Sequence, residues 1–515
     1  MNKVKRALIS VYDKTGIVSL GKALDRLGIE ILSTGGTSEM LKKAGVPVKE
    51  VSSVTKFPEM LNGRVKTLHP NIHAGLLAMR ENPEHMKTLA KHHIQPIDLL
   101  VINLYPFWDV VKTKKNSHEI IEMIDIGGPA MLRSAAKNYQ SVAVVSDPRD
   151  YDALTEELKK NQGSLPEVFL RSLATKVFKL TSYYDGLIHR YFEGNSNSKG
   201  KMPEQISIDF EKLNDLRYGE NPHQKGALYI EKGAKSGGVV KAKQLHGKEL
   251  SFNNILDLDA ALEMAEAFDE PACSIIKHTS PCGFAIGPDA KVAFRNAYQC
   301  DPLSAFGSIV GFNTQVDEEA AKEILKSGFI ECIIAHGFAK EALQMLKVKK
   351  NLRLLSVDSK HRPQPLDFKK VSGGLLLQQR DIKDPVEAHL ECVTKLAPKS
   401  SQISDLLFAF KVCRYVKSNA IVIAKNGVTL GLGMGQPSRV DACETAFKKA
   451  GRRAKGAVLA SDGFFPKPDS IQLAKKFGIS AVIQPGGSIQ DEAVVQACDR
   501  AKISMVFTGI RHFKH

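Results

Sequence analysis

The stretch Glu30-Ile-Leu-Ser-Thr-Gly-Gly-Thr37 decides the fold of the first part of this 515-residue chain. A short apolar run leads directly into two glycines, and a helical pattern follows over 38–44. Upstream, the apolar run 7–11 precedes another helical pattern that starts at Ile17. Strand, turn and helix therefore occur twice in succession, which predicts a parallel, doubly wound α/β sheet.

The same stretch has the chemistry of a phosphate site. Glycines let the backbone approach an anion closely, hydroxyls donate hydrogen bonds, and the N-terminus of the next helix is electropositive. The stretch lacks the lysine of a Walker loop and the three glycines of the dinucleotide fingerprint. A plain capped turn explains it equally well. The candidate phosphate ligands are Ser33, Thr34, Gly35, Gly36 and Thr37.

The segment 63–75 concentrates two cations and two histidines in what its composition predicts to be a turn-rich loop. His69 and His73 stand four residues apart, a spacing that binds zinc on a helix. Pro70 lies between them, and the glutamate of a zinc protease motif is absent. The segment therefore predicts substrate contacts and no metal.

Two further groups of polar residues follow predicted elements. The apolar run 97–102 predicts a buried strand, and Asn103 and Tyr105 come directly after it. Because ligands bind beyond the carboxyl ends of strands in open parallel sheets, both residues are candidates for a site. Asp125 precedes a helical pattern that continues to Asn138, and helix capping alone also explains this residue.

Five motifs follow one another in this part of the chain: Ser33-Thr-Gly-Gly-Thr37, Arg64-Val-Lys-Thr-Leu-His-Pro70, Asn103-Leu-Tyr-Pro106, Asp125-Ile-Gly-Gly128 and Ala136-Lys-Asn138. In their order and spacing they resemble the inosine monophosphate (IMP) cyclohydrolase domain, which has a methylglyoxal-synthase-like fold. The resemblance implies a ring closure that needs no cofactor. It assigns proton transfers to Lys66, Tyr105, Asp125 and Lys137. It also assigns substrate binding to Lys14, Arg64, Thr67, Asn103 and the residues 33–37.

A domain boundary is predicted in the middle of the chain. The chain is longer than one hydrophobic core usually serves. The stretch 193–201 is polar, small and glycine-rich, and it lies between two structured patterns. We therefore expect a first domain over 1–193, a linker over 194–202 and a second domain over 203–515.

The second part of the chain is organised around Ser274-Ile-Ile-Lys-His-Thr-Ser-Pro-Cys-Gly283. Its apolar run ends at Lys277 and His278, and Pro281 and Gly283 predict a turn just after them. A histidine can take a proton from a weak nucleophile, and a neighbouring ammonium can stabilise an oxyanion, which together suit acyl or formyl transfer. The dipeptide alone favours a solvated strand end.

A metal site does not fit this stretch. Pro281-Cys282 beside a histidine is reminiscent of zinc deaminases, whose signature places a second cysteine three residues later and an H-x-E motif upstream. Ala285 occupies the first of these positions, and no H-x-E precedes it. The set of zinc ligands is therefore incomplete.

Other turn-rich stretches offer contacts for substrates. Arg217 lies in a turn-prone loop, where its guanidinium could clamp a phosphate, although a surface ion pair is the alternative. The glycine-rich stretch 431–439 precedes a helical pattern and predicts a second anion cradle. Loops at 301–308 and 461–466 flank apolar strands, so several loops at strand ends are expected to meet at one site.

Seven motifs are shared by this half: Arg217-Tyr-Gly-Glu-Asn-Pro-His-Gln224, Lys277-His-Thr-Ser-Pro-Cys-Gly283, Asp301-Pro-Leu-Ser-Ala-Phe-Gly307, Ser418-Asn419, Gly435-Gln-Pro-Ser-Arg439, Ser461-Asp-Gly-Phe-Phe-Pro466 and Arg511-His-Phe-Lys-His515. They resemble the transformylase domain that acts on aminoimidazole carboxamide ribonucleotide (AICAR). With the first domain, the resemblance covers nearly the whole chain and implies the bifunctional family of purine synthesis. It also implies a second half of two similar, cytidine-deaminase-like lobes without the metal.

The resemblance implies a mechanism for formyl transfer from 10-formyltetrahydrofolate. The exocyclic amine of AICAR is a poor nucleophile, so transfer needs a positioned base and oxyanion stabilisation. His278 would assist deprotonation of the amine, Lys277 would stabilise the tetrahedral intermediate or protonate the leaving nitrogen, and Asn419 would hold the formyl group. The implied substrate-binding residues are Arg217, Tyr218, Asn254, Ser308, Phe465, Pro466 and Arg511.

Composition bounds the partners. A formal charge of +16 suits anionic partners, but the lysines are spread along the chain without a basic stripe, which favours phosphorylated or polycarboxylate metabolites over nucleic acid. The small molecules that the family resemblance implies are AICAR, its formylated product and a reduced folate. A basic nucleic-acid-binding protein and a nucleotide enzyme with one inactive domain are the rival interpretations.

The cysteines and apolar runs predict the compartment. Eight cysteines lie far apart with no C-x-x-C pair, which is typical of reduced thiols, and the protein is therefore expected in the cytoplasm. No apolar run reaches the length of a membrane span, so no membrane partner is expected. The family resemblance implies a homodimer.

Overall fold

The structure is a computed structural model that divides the chain into two compact units, Met1–Asp209 and Phe210–His515. Of the predicted linker 194–202, residues 196–201 lie outside the described residues. Residues 194 and 195 are the end of a long helix. The domain limits at 193 and 203 stay a prediction. The described residues are 3–113, 116–195, 202–232, 238–358 and 365–515.

The first unit contains a five-stranded sheet in which all strands are parallel, which confirms the predicted doubly wound architecture. Its order is 3-2-1-4-5, and its strands are β1 (Arg6–Val11), β2 (Glu30–Ser33), β3 (Lys49–Glu50), β4 (Leu99–Asn103) and β5 (Ala143–Val145). Leu8 and Ile9 of β1 are fully buried in different apolar clusters. Helices therefore cover both faces of the sheet.

Ten α-helices surround this sheet in the described residues. They are α1 (Ile17–Arg26), α2 (Gly35–Lys43), α3 (Val51–Thr55), α4 (Pro70–Leu77), α5 (Pro83–Lys91), α6 (Phe107–Thr113), α7 (Ser117–Ile121), α8 (Gly127–Lys137), α9 (Tyr151–Lys160) and α10 (Glu167–Asn195), with 3-10 helices at Leu61–Gly63 and Pro148–Asp150.

Part of the predicted loop 63–75 is helical, so that prediction was wrong from Pro70 onward. Pro70 is the first residue of α4, where a missing N–H and a fixed φ are tolerated. The Nδ1 atom of His69 accepts a hydrogen bond from the Asn71 N–H at 3.1 Å and caps the helix. The proline that argued against a zinc helix is thus the start of a helix.

The second unit is built on a twelve-stranded sheet and two separate two-stranded hairpins. Its strands are β6 (Phe210–Leu216), β7 (Gly226–Glu231), β8 (Lys243–His246), β9 (Ala272–Lys277), β10 (Ser280–Ile286), β11 (Ser308–Phe312), β12 (Ile330–Ala335), β13 (Arg353–Ser356), β14 (Leu366–Val371), β15 (Gly374–Gln379), β16 (Glu391–Cys392), β17 (Ile421–Lys425), β18 (Val428–Gly433), β19 (Val458–Ser461), β20 (Ala481–Gln484) and β21 (Ser504–Phe507).

Eight α-helices accompany these strands in the described residues. They are α11 (Phe252–Glu266), α12 (Ala290–Tyr298), α13 (Glu318–Lys326), α14 (Lys340–Leu346), α15 (Ser400–Cys413), α16 (Arg439–Ala450), α17 (Asp469–Phe477) and α18 (Asp491–Ala501), with 3-10 helices at Val239–Lys241, Glu387–His389 and Gly451–Ala454. The described part of the chain has no helix that is both long and apolar enough to span a bilayer.

The large sheet consists of two lobes with the same strand order. From its centre outward, one lobe runs β10-β9-β11-β12-β13-β8 and the other runs β18-β17-β19-β20-β21-β16. Each lobe begins with an antiparallel hairpin, continues with three mutually parallel strands and ends with an antiparallel edge strand. The lobes meet where Ala285 of β10 pairs with Val428 of β18. The two similar lobes that the family resemblance implies are therefore present.

Two local predictions in this unit were wrong. Pro281 and Gly283 do not make the predicted turn but lie inside β10, and the turn is formed by His278 and Thr279. Gly431 and Gly433 lie inside β18 rather than in a loop. A Cβ atom on Gly433 would stand 1.8 Å from the Ala442 carbonyl oxygen, so these glycines let α16 pack closely on the strand.

Candidate active sites

A pocket of about 850 Å3 lies at the carboxyl ends of the strands β1, β2 and β4. This is where ligands bind in open parallel sheets. All but two of the residues predicted for the first site line it: Lys14, Thr34, Gly35, Gly36, Thr37, Arg64, Lys66, Thr67, Asn103, Tyr105 and Asp125.

An anion cradle forms one wall of this pocket. Helix α2 starts at Gly35, and Thr34 makes no side-chain capping bond. A Cβ atom built on Gly36 would lie 3.9 Å from Cε of Lys14, and one on Gly35 would lie 4.0 Å from Nζ of Lys66. Burial lowers the pKa of Lys14. A bound anion would raise that pKa again, because it stabilises the charged ammonium. Two ammonium groups and a helix N-terminus thus converge on one place.

Three other predicted residues hold the loops around this wall. Ser33 does not line the pocket, because its buried hydroxyl donates to the Ile9 carbonyl at 2.7 Å. The Thr37 hydroxyl donates to the Val11 carbonyl at 3.1 Å. The Asn103 side-chain oxygen accepts from the Tyr12 N–H at 2.6 Å and thereby fixes the loop after β1. These side chains shape the pocket through the backbone.

The two cations from the loop 61–66 are paired with carboxylates. Arg64 forms an ion pair with Glu122, and the Lys66 ammonium lies 2.9 Å from a carboxylate oxygen of Glu59. The hydrogen bond from Arg64 lowers the pKa of Glu122. Both pairs are largely exposed to solvent, where ion pairs are weak. A phosphate group can therefore replace the carboxylates.

Asp125 has the environment of a proton-transfer group. Burial raises its pKa, although a hydrogen bond from the Gly128 N–H at 2.8 Å opposes that shift. Its own N–H donates to the hydroxyl of Tyr184 at 2.8 Å. The residue therefore caps α8, as the sequence allowed, and also faces the pocket with a perturbed carboxyl group.

Lys137 lies away from this pocket. It is the exposed last residue of α8, whereas the pocket is lined by Gly127 and Gly128 at the start of that helix. At about 1.5 Å per residue, the helix separates its two ends by about 15 Å. Within one chain, Lys137 is not brought together with Lys66, Tyr105 and Asp125.

Ser10 and Tyr12 also line the pocket, and sequence reasoning did not select Ser10. The Ser10 hydroxyl lies 3.1 Å from the hydroxyl of Thr34. The ring of Tyr12 packs edge-on against Tyr105, with 5.2 Å between the centroids. Both follow or end β1, so the strand-end argument that selected Asn103 would also have selected them.

The second site is built at the ends of the central strands of the large sheet. Lys277 ends β9, and its ammonium donates to the Phe306 carbonyl at 2.7 Å. The pairing of Ile309 with Ile276, continued by one residue, sets Ser308 opposite Lys277. His278 is exposed in the turn to β10.

Asn419 of the other lobe is held in one orientation. Its side-chain NH2 group donates to the carbonyls of Gln436 at 2.8 Å and Pro437 at 3.0 Å, and its side-chain oxygen accepts from Arg439 at 2.7 Å. Arg439 is in turn paired with the fully buried Asp462 at 2.6 Å. Because both amide hydrogens are used, Asn419 can accept one more hydrogen bond but has none to donate.

The two lobes bring these groups to the same end of the sheet. β10 and β18 are antiparallel neighbours, so the turn 278–279 before β10 and the residues that follow β18, up to Gly435, lie at the same end of the sheet. The next residue, Gln436, accepts from the Asn419 N–H at 3.2 Å. One strand, β18, separates β10 from β17, so the distance across is roughly 10 Å at the usual strand spacing.

The predicted arginines flank this end. Arg217 lies over the ring of Tyr218 at 4.7 Å, and the loop that carries them is tied to the first turn of α11 by a hydrogen bond from Asn253 to the Glu220 carbonyl. Arg511 lies over Phe513 at 4.3 Å. The terminal segment also reaches Asn419, because the Lys514 N–H donates to the Ser418 hydroxyl at 3.1 Å.

Three of the predicted substrate contacts are buried. Asn254 is 3% exposed, and its side chain caps α11 and donates to Glu331 at 3.0 Å. Phe465 is fully buried in an apolar cluster, whereas Pro466 beside it is exposed. Ser308 is 1% exposed, and its hydroxyl has no partner in the described residues. Burial of this kind is invisible in the sequence motifs.

Comparison with known proteins identifies the relatives of this chain. Residues 135–449 match the family described as AICARFT/IMPCHase bienzyme, and residues 16–130 match the MGS-like domain. The chain is 51% identical to the bifunctional purine biosynthesis protein PurH of Thermoanaerobacter sp., over 99% of this chain and 100% of that protein. It is 49% identical to the PurH of Acetivibrio thermocellus, with the same coverage. The crystal structure of ForH is 35% identical over 37% of this chain and 99% of that one, with a TM-score of 0.34.

Proposed function

Because the chain belongs to the AICARFT/IMPCHase bienzyme family, we propose that its two units divide the two reactions of that family between them. The chain is a bifunctional enzyme of purine biosynthesis with AICAR formyltransferase and IMP cyclohydrolase activities. The second unit transfers the formyl group, and the first unit closes the ring. The observation that carries this division is the pocket of the first unit, where an anion cradle faces the perturbed carboxyl group of Asp125.

Formyl transfer takes place at the end of the central strands. His278 accepts a proton from the exocyclic amine of AICAR as the amine nitrogen attacks the formyl carbon of 10-formyltetrahydrofolate. The Lys277 ammonium stabilises the oxyanion that forms. Collapse of the intermediate breaks the bond to the folate nitrogen, which takes up a proton and leaves as tetrahydrofolate.

Asn419 acts as a hydrogen-bond acceptor in this step. Its two amide hydrogens are committed to the carbonyls of Gln436 and Pro437. Its oxygen, which Arg439 orients, is free to accept from the amine of AICAR and so holds the nucleophile against the formyl group. Arg217, Tyr218, Pro466 and Arg511 bind the substrates directly, whereas Asn254, Ser308 and Phe465 support the site from within.

Ring closure takes place in the pocket of the first unit. The phosphate lies at the glycine turn 33–37 with Lys14 and Arg64. The carboxamide nitrogen attacks the formyl carbon, and the formyl oxygen leaves as water after proton transfers by Lys66, Tyr105 and Asp125. Lys137 stays a predicted member of this set, and its position outside the pocket makes Lys137→Ala the direct test of its role.

A homodimer in the cytoplasm completes the proposal. Large apolar side chains are exposed beside Lys277, with Leu303 88% and Phe306 60% exposed. Leu376 of the β14–β15 hairpin is 61% exposed. Apolar patches of this kind mark interaction surfaces, and a second copy of the chain is the proposed partner. Sedimentation at micromolar concentration tests the dimer, and the free thiol state of the cysteines fits a reducing compartment.

The division of labour is tested by supplying AICAR and 10-formyltetrahydrofolate and recording both tetrahydrofolate and IMP. Lys277→Ala should stop tetrahydrofolate formation, whereas Lys66→Ala should let formylated AICAR accumulate. If Lys66→Ala leaves IMP formation untouched, the first unit is inactive and the proposal fails. Salt-sensitive binding to nucleic acid without either product would favour the rival class.

A further inference from the structure

The turn that carries His278 is sterically strained. Lys277 pairs with Ser280, so His278 and Thr279 form a two-residue hairpin turn. Their φ angles are +54° and +58°, which is the left-handed region. Neither residue is glycine, and the branched side chain of Thr279 is disfavoured there. Strain at a proposed functional residue persists only where the surroundings hold it in place.

The carboxylate of Asp257 holds this turn. Asp257 lies in α11 and is 7% exposed. One of its oxygens accepts from the His278 N–H at 3.0 Å, and the other accepts from the Thr279 N–H at 2.6 Å. Hydrogen bonds from backbone N–H groups to a carboxylate are among the strong ones in proteins. Both turn residues are thus fixed by a single buried side chain.

The other lobe contains the same device without the histidine. Asp405 is the sixth residue of α15, as Asp257 is of α11, and it accepts from the Gly427 N–H at 3.0 Å. That turn is Asn426–Gly427, with φ angles of +52° and +69°. Asn-Gly adopts such a turn readily, whereas His-Thr does not. The carboxylate is therefore needed more in the lobe that carries the histidine.

We propose that Asp257 is a positioning residue for formyl transfer, because it fixes the strained turn that presents His278. This inference rests on the proposed role of His278 as the base. A base must lie within hydrogen-bond reach of the proton that it removes, so a small shift of the turn lowers the rate of the step. Asp405 only stabilises its turn.

The test compares Asp257→Ala with the matched variant Asp405→Ala, with ring closure of formylated AICAR as the control for the first unit. Asp257→Ala should lower kcat for tetrahydrofolate formation about 100-fold, with KM for AICAR within about threefold. Asp405→Ala should stay within about twofold of wild type. If both variants lower kcat equally, Asp257 is merely structural and the proposal is overturned.

A rescue separates positioning from loss of folding. Glycine takes a positive φ without strain, so adding Thr279→Gly to Asp257→Ala should restore kcat at least about tenfold. Should Asp257→Ala prove unstable, Asp257→Asn, which keeps one acceptor oxygen, carries the same comparison. If Thr279→Gly fails to restore kcat in both the Asp257→Ala and the Asp257→Asn background, the proposal is overturned. If His278→Ala leaves tetrahydrofolate formation intact, the proposed function of His278 has failed instead.

Discussion

The two candidate sites hold their charged groups in different ways. In the first unit, Arg64 and Lys66 are exposed and already paired with Glu122 and Glu59. In the second, the orientation of Asn419 is set by a buried ion pair. In the proposed mechanism, Arg64 of the first site exchanges the carboxylate of Glu122 for the phosphate of the substrate. The second is arranged in advance, so that little has to move when the reaction begins.

The test with the largest expected effect replaces the turn at 278–279 with the turn found in the other lobe. His278→Asn with Thr279→Gly copies the Asn426–Gly427 turn. Because the turn keeps its shape but loses its base, kcat for tetrahydrofolate formation should fall about 1000-fold, within the range for removal of a general base. Assays that are quenched at set times and analysed for tetrahydrofolate measure this kcat. A melting temperature at or above that of wild type shows that the turn is intact and that only the chemistry was removed, and activity within tenfold of wild type would contradict the role of His278 as the base.

The second test breaks the buried pair itself. Asp462→Ala leaves the Arg439 guanidinium buried without its carboxylate and removes the acceptor of the Ser418 hydroxyl. Losing one partner of a buried pair destabilises a protein by about 3–5 kcal/mol. Calorimetry should show earlier unfolding of the second unit together with loss of formyl transfer. The exposed pair provides the control, because Glu122→Gln should leave the unfolding temperature unchanged.

The third test uses pH within the first pocket. Burial raises the pKa of Asp125, whereas Arg64 lowers that of Glu122. As pH falls, Asp125 therefore takes up its proton first, above the ordinary carboxyl value of about 4. If its charged form removes a proton, the rate of IMP formation from formylated AICAR should decline through that raised pKa. The Asp125→Asn variant should lack this decline at low pH. If the variant shows the same decline, the decline belongs to another titrating group.

The smallest expected effect comes from releasing an exposed pair. Glu122→Gln frees Arg64 for the substrate phosphate without changing the site otherwise. Because surface pairs are weak, KM for formylated AICAR should fall only about two- to fivefold, and the difference should shrink at high salt. A rise in KM would mean that Glu122 itself contacts the substrate.

The sequence predicted what depends on local pattern. The run from Glu30 through Thr37 is a strand followed by a glycine turn and a helix, and the structure confirms the parallel sheet that this pattern predicts. It could not predict that His278 and Thr279 form the turn, because neither residue signals a positive φ. That turn is held by two hydrogen bonds to Asp257, which lies 21 residues before His278 in the sequence.

Long-range contacts also explain why some site residues have a different place in the structure from the one that the sequence predicts. Asn254 and Phe465 are predicted substrate contacts of the second half, but one caps a helix and the other fills a core. The sequence places Arg439 at the end of a glycine-rich stretch, and only the structure shows that it pairs with Asp462. Residue type in a motif indicates chemistry, whereas burial decides which member of the motif can reach a substrate.

The repeated strand order of the large sheet has a consequence for protein engineering. The Asn426–Gly427 turn already has the hairpin, the supporting helix and the capping carboxylate of its counterpart. This turn has the same supporting structure as the turn 278–279 but lacks the histidine, so it is a suitable place to introduce one. Two substitutions, Asn426→His and Gly427→Thr, would give the chain a second His-Thr turn on the same framework.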